Sequence, residues 1–381
     1  MADERALPHE YVALSAGELV RRTADRKREL GDALCILGHH YQCDEVVQFA
    51  DFVGDSLKLS QAAAAQRRAA HIVFCGVHFM AESADILTRP DQAVCLPNIL
   101  AGCAMADMAD DAAVATALEE IAAMAGGAKV VPITYVNSSA ATKAVTARAG
   151  GACCTSSNVA NVFRWALEIR NPQSAIGNKL FAIPDRHLGL NTALALGYKE
   201  DDCVVYDPRQ AGGGLSEADV RRATFILWNG QCYVHQLFRP EDVTAARERD
   251  PQVKVIVHPE CPREVVRLAD ASGSTEQIIT AVTAGAPGSH WAVGTEANLV
   301  RRLAQRLPDR TVRVLADRPA HCVQMARITL GHLLWVLDNL AEGRVINRVT
   351  VPEAIAADAR VALQRMIDIR AVAGATNVRR T

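Results

Sequence analysis

The sequence lacks any block of five or more like charges, and its formal net charge is only -2. It therefore carries no electrostatic footprint for a nucleic-acid or membrane-surface partner. Long apolar runs are missing too: stretches such as IVFCGVHFMA are short and contain His, which argues against a membrane span. The opening residues, MADERALPHEYVALS, are polar and acidic where a signal peptide is basic and then apolar, so the chain is expected in the cytoplasm. No C-x-x-C pair occurs, which excludes a zinc ribbon, a thioredoxin-type site and a ferredoxin-type binding run. Yet there are 11 cysteines, an odd number that a cytosolic chain keeps reduced. Taken singly, a cysteine reads as a small buried hydrophobe. If a metal is bound, its ligands must come from distant parts of the chain.

What is present is a rhythm. At 381 residues, half of them apolar, the chain is long enough for two or three packed domains. Short β-branched runs alternate with alanine-rich segments, the pattern of parallel α/β units. Strands are expected at 34–37, 71–74, 130–134, 152–154, 179–182, 223–227, 254–257, 291–293 and 312–315. Helices are expected at 56–68, 114–125, 159–170, 263–269, 275–284, 297–306 and 328–342, most of them preceded by a capping Ser, Thr, Asn or Asp.

The chain also repeats a phrase. GHHYQCDEVVQFADFVGDS, from Gly38, matches VHPECPREVVRLADASGST, from Val257. His39 and His258, Ala50-Asp51 and Ala269-Asp270, Gly54 and Gly273, and Ser56 and Thr275 all stand 219 residues apart, and so do Cys103 and Cys322. With 11 Cys in 381 residues, a chance match at one nominated position has odds of about three in a hundred. A third copy lies between them: Tyr135 takes the His slot, Thr155-Ser156-Ser157 the hydroxyl turn, and Cys232 the cysteine slot. Its spacing is looser, 97 residues from Tyr135 to Cys232 against 64 in the other copies. A Gly-rich insertion at 149–152 and a charged surface insertion at 200–222 are expected to account for the difference.

Three homologous α/β units can close around a pseudo-threefold axis, where Cys103, Cys232 and Cys322 would supply three thiolates. Thiolates select zinc or an iron-sulfur cluster, and zinc in a structural site needs a fourth protein ligand. A 4Fe-4S cluster on three cysteines instead keeps one iron open as a Lewis acid. Each copy also places polar side chains on alternate residues at a strand end: His39 and Tyr41, Tyr135 and Asn137, His258 and Glu260. In parallel sheets that end is where ligands bind. The turns GDS, TSSN and GST each open a helix, whose N-terminus attracts phosphate or carboxylate, so a small, multiply anionic substrate is expected. Viewed singly, a strand-end His is commonly structural and a Ser turn commonly a plain cap. In register with a cysteine they gain weight. His235, three residues after Cys232, is open to two readings, a cluster or substrate neighbour and a loop residue.

The phrases GHHYQ, ADFVGDSLKLS, GVHFMAESADIL, LAGCAMADM, ITYVNSSAATKA, CCTSSNVANV, IPDRHLGLN, WNGQCYVHQLF, HPECPREVVRLADASGSTEQI, VGTEANLVRRL and CVQMARITL, in this order from about residue 34 to 340, resemble the quinolinate synthases of bacterial NAD biosynthesis. The resemblance implies three homologous αβα domains with short parallel sheets around a pseudo-threefold axis, at 25–128, 129–252 and 253–345, with a C-terminal extension at 346–381. It implies condensation of iminoaspartate with dihydroxyacetone phosphate to quinolinate, phosphate and water, and functional coupling to an aspartate-oxidising enzyme. One 4Fe-4S cluster per chain would be held by Cys103, Cys232 and Cys322. Substrate contacts would be His39, Tyr41, Ser56, Tyr135, Asn137, Ser156, His235, His258, Glu260, Ser274 and Thr275, with Ser157 an alternative to Ser156. Proton transfer would fall to Tyr41, Glu260, His258 and Tyr135, chiefly Glu260 with Tyr41. Around the third ligand, HCVQM has one thiol where many members of the family have more, which excludes a local disulfide there. A cluster-dependent dehydratase of a small hydroxy acid is the rival enzymatic reading; an iron-sulfur transcription sensor would need a basic DNA-reading segment, and none is visible.

Overall fold

The computed structural model of the chain describes residues 6–169 and 177–369. Strands Leu34–His39 (β1), Phe52–Gly54 (β2), His71–Cys75 (β3) and Ala93–Cys95 (β4) form a first sheet. A second holds Val130–Tyr135 (β5), Ala152–Cys154 (β6), Lys179–Ile183 (β7), Cys203–Tyr206 (β8) and Phe225–Trp228 (β9). A third holds Lys254–Val257 (β10), Ala271–Ser272 (β11), His290–Gly294 (β12) and Thr311–Val314 (β13), and Arg348–Val349 (β14) returns to the first. The strand orders are β2-β1-β3-β4-β14, β6-β5-β7-β9-β8 and β11-β10-β12-β13. Each sheet therefore opens with the same arrangement, its second strand beside its first, then its third. Pairing is parallel throughout except for β14 on β4. This is the α/β class that the alternating pattern implied.

The chain forms two compact units. Among the described residues, those within 1–103 and 321–353 form one, which contains the first sheet; those within 104–320 and 354–381 form the other, which contains the second and third. In the first unit, helix Ala16–Leu30 packs on helix Leu330–Ala341. Between them the buried Asp338 carboxylate accepts from Arg22 (2.6 Å), Arg26 (2.7 Å) and the Tyr11 hydroxyl (3.1 Å), so a charge taken out of water is fully paired. In the second unit, the core packs Phe181, Trp228, Val220 and Ile226 with Ala117 and Ile121 of helix Asp111–Met124.

The 219-residue repeat is written into hydrogen bonds. Asp51 accepts the Ile36 N–H (2.7 Å) through its side chain and donates its own N–H to Ile36 O (2.8 Å). Asp270 does the same with Val255, at 2.7 and 2.9 Å. Each Asp satisfies the first strand of its sheet just before the neighbouring strand begins, which is why the phrase needs a carboxylate there. Asp270→Ala is expected to cost about 1–2 kcal/mol by orphaning the buried Val255 amide. Asp317→Ala, which removes an exposed ion pair with Arg249, should cost much less, because solvent screens that pair. Urea unfolding of the two variants measures the contrast, and equal losses would refute the strand-satisfying role.

Two expectations about the second copy change. The stretch 200–222, expected as a surface insertion, supplies β8 and helix Glu217–Arg222. Tyr206 and Val220 are buried, so β8 extends the sheet beyond β9 and the insertion is part of the core. The extra length before the hydroxyl turn lies in helix Ala140–Arg148, longer than its counterparts Asp44–Val47 and Arg263–Leu268. The glycines after it serve a close approach: a Cβ on Gly151 would meet Pro132 O at 1.9 Å. The expected helix at 159–170 is observed as Val159–Glu168, and residue 170 lies outside the described residues. The extension forms helix Glu353–Asp368, whose Met366 carbonyl accepts from Asn158; residues 370–381 also lie outside. Among the described residues no helix is long and apolar enough to cross a membrane.

Candidate functional site

Each of the three nominated cysteines sits in the same local frame. The first residue of a helix donates its N–H to the carbonyl two residues before the cysteine: His78 to Ala101 (2.8 Å), Arg186 to Gly230 (3.0 Å) and Ala297 to Ala320 (2.9 Å). A 3-10 turn begins three residues after the cysteine, at Ala106–Met108, His235–Leu237 and Met325–Arg327. The next helix begins eight residues after it, at Asp111, Pro240 and Leu330. The uneven spacing of the second copy is thus confined to the chain before Cys232.

Cys103, Cys232 and Cys322 are each half-buried. The other eight thiols are all pushed up by burial, Cys43 to about 11 and Cys95 to about 12, which disfavours them as thiolates. Three soft donors presented by one repeated loop suit a thiolate-bound group such as an iron-sulfur cluster.

The second unit assembles a polar centre at the carboxyl ends of its strands. Tyr135 ends β5, His258 and Glu260 follow β10, Thr295 follows β12, and His235 opens the turn after Cys232. The Tyr135 hydroxyl donates to Glu260 Oε1 at 2.6 Å, and His235 Nδ1 lies 2.8 Å from Glu260 Oε2. His235 Nε2 faces Thr295 Oγ1 at 3.2 Å, and the His235 and His258 rings stack with centroids 4.4 Å apart. His258 Nε2 reaches Ser156 Oγ at 3.2 Å.

The strand-end pairs of the two closest copies share a detail. His258 Nδ1 accepts the Glu260 N–H (3.3 Å), as His39 Nδ1 accepts the Tyr41 N–H (3.1 Å). This bond assigns the His258 proton to Nε2, which then donates to Ser156. Burial, then the neighbouring His235, pushes the His258 pKa down to about 3, so the ring is neutral at physiological pH. Burial opposes ionisation of Glu260, but His235 and the hydrogen bonds from His235 and Tyr135 outweigh it and hold the carboxyl below its ordinary range.

The strand register gives the positions of the remaining expected residues. His39 pairs with Gly54 and Tyr135 with Cys154, so Ser156 occupies the slot of Ser56 two residues after its strand, and Thr275 stands two residues after Gly273. This register favours Ser156 over Ser157. Ser56 and Thr275 each begin a helix; Asp55 and Ser274 precede them as caps, accepting from Lys58 N and Gln277 N. The Ser274 hydroxyl is thus engaged in its own helix. Asn137 Oδ1 is buried without a hydrogen-bond partner, as a polar atom awaiting a ligand would be. In the first unit the His39 ring meets Tyr41 edge to face at 4.7 Å.

Two residues of this centre escape the sequence reading. Thr295 has no counterpart among the strand-end pairs. Asp185, in IPDRHLGLN, caps helix Arg186–Ala195 through Leu188 N and accepts the Cys232 N–H at 3.0 Å. Burial, then the Glu260 charge, pushes its carboxyl well above the ordinary range, so of two neighbouring buried carboxyls Glu260 is the ionised one. A D-x-x-L cap at the head of an apolar helix was its only sequence signal, and it says nothing of a partner 47 residues away.

Comparison with known proteins matches residues 21–368 to the family described as Quinolinate synthetase A protein. The chain is 49% identical over 363 residues to a protein of Streptomyces coelicolor named quinolinate synthase, covering 94% of this chain and 90% of that one. A quinolinate synthase of Herpetosiphon aurantiacus is 49% identical over 372 residues, 97% of this chain and 96% of its own length. One of Anoxybacillus flavithermus is 46% identical over 367 residues, 96% and 98%.

Proposed function

The chain belongs to the quinolinate synthase family, and on that premise we propose that it condenses iminoaspartate with dihydroxyacetone phosphate to quinolinate, phosphate and water. The observation that carries this reading is the buried arrangement of Tyr135, Glu260 and His235 beside His258, on strand ends that also carry Cys232. Building an aromatic ring from two small precursors needs protons removed from carbon and delivered to departing hydroxyls. Glu260, ionised and clamped from both sides, is the base for that task. Tyr135 and His235 hold its two oxygens apart and take up or return the proton it collects. Tyr41, beside His39, is the second proton carrier.

Neutral His258 donates from Nε2, so it orients a substrate oxygen rather than neutralising a carboxylate. Asn137 Oδ1 accepts from an N–H or O–H of the substrate. The helix openings at Ser56 and Thr275 and the turn at Ser156 bind the carboxylates and the phosphate until it leaves. Cys103, Cys232 and Cys322 would hold one 4Fe-4S cluster, which when bound supplies an open iron as Lewis acid.

The test is product analysis with anaerobically purified protein given dihydroxyacetone phosphate and iminoaspartate, the latter made in place from oxaloacetate and ammonium. Quinolinate and inorganic phosphate should appear in equal amounts. If neither forms while a small hydroxy acid is dehydrated, the condensation is refuted.

A further inference from the structure

Cys232 is not only one of three similar thiols; it alone has a histidine three residues on. The corresponding positions after Cys103 and Cys322 are Ala106 and Met325. Glu260 is likewise particular to its copy, since the matching strand-end positions are Tyr41 and Asn137. One donor atom from each of Cys232, His235 and Glu260 lies within 4.8 Å of the others, and among the described residues no other such trio occurs. In a tetrahedral zinc site, bonds of about 2.0–2.3 Å put ligand atoms roughly 3.3–3.8 Å apart, so closure requires the widest pair to move by about 1 Å.

We propose that the cluster-free chain binds one zinc ion on Cys232 Sγ, His235 Nδ1 and Glu260, in competition with cluster assembly. Sulfur, nitrogen and oxygen donors with a fourth position open are the ligand count of a reactive zinc site. Each donor already has the supporting partner that metal ligands need. Thr295 Oγ1 stands 3.2 Å from His235 Nε2, Tyr135 donates to the Glu260 oxygen facing away from His235, and Asp185 holds the Cys232 backbone. The ion takes the place between Nδ1 and Oε2, now 2.8 Å apart. One proton leaves with it, from the thiol; the imidazole proton, which Nδ1 donates to Glu260 in the metal-free chain, moves to Nε2, where Thr295 accepts it. Zinc so held removes one cluster ligand and the Glu260 base together. Its presence therefore blocks both cofactor loading and proton transfer.

Full-length chain kept reduced and cluster-free, titrated with zinc and desalted, should retain one zinc per chain. Cobalt in its place should show a single-thiolate charge-transfer band with the strong visible absorption of four-coordination. Cys232→Ala and His235→Ala should each weaken binding by about 100-fold or more. The Cys103→Ala/Cys322→Ala double variant should bind as the parent does. Zinc retained by Cys232→Ala, or lost from the double variant while its circular dichroism is unchanged, overturns the proposal in favour of a three-cysteine site. Retention in the double variant decides the matter even if a single variant unfolds. None of these readings depends on quinolinate formation, so failure of the condensation assay leaves them standing.

Discussion

Cys103→Ala, Cys232→Ala and Cys322→Ala are each expected to lose nearly all iron and acid-labile sulfide and to reduce quinolinate formation by about 10³-fold or more, the scale of a Lewis-acid contribution of several kcal/mol. Cys261→Ala should keep both. The four thiols differ in their surroundings. The first three share one loop frame, set by the same helix-to-carbonyl hydrogen bond and the same 3-10 turn. Cys261 is buried, its sulfur 3.5 Å from the Gly294 carbonyl, and burial raises its thiol well above the ordinary range. Such a thiol stays protonated and is a poor iron ligand. Iron and sulfide counts on anaerobically reconstituted proteins test the set. Full cluster content in any one of the three alanine variants, or its loss in Cys261→Ala, would break the assignment.

Glu260→Gln should lower kcat by roughly 10²–10⁴-fold, the usual weight of a positioned general base, while KM changes little. Glutamine preserves the shape and can still accept from Tyr135, so the loss isolates the charge and the proton. Because its surroundings hold the Glu260 carboxyl below its ordinary range, the parent's kcat/KM should show no acid limb from this group between about pH 5 and 8. As pH falls below the ordinary carboxylate range the group begins to take a proton, and rate falls with it. A variant with normal kcat and a raised KM would make Glu260 a binding residue only.

Much of this was legible in one dimension. The phrase around His39 and its echo at His258 becomes two strands with the same Asp-to-amide hydrogen bonds, because a strand, a turn and a cap are short-range objects that a short sequence specifies. The cysteine slots were legible for the same reason. Two of the three-residue strands, β2 and β4, were not, since so short a run has no periodicity to read, although β6 was expected at 152–154 from its apolar residues alone. Nor was β8, whose charged and Gly-rich surroundings read as solvent-exposed while its alternate residues face the core.

The sequence alone determined the repeat, the residue types at strand ends and the cysteine frame, because each depends on neighbours a few bonds or a few residues away. Only the tertiary structure decided that Tyr135 reaches Glu260 across 125 residues, that His235 lies between Glu260 and Thr295, and that Asp185 holds Cys232. Such contacts depend on how sheets and helices pack around a shared core. Packing is a property of the whole folded unit, and no local stretch of chain encodes the distance between two strand ends.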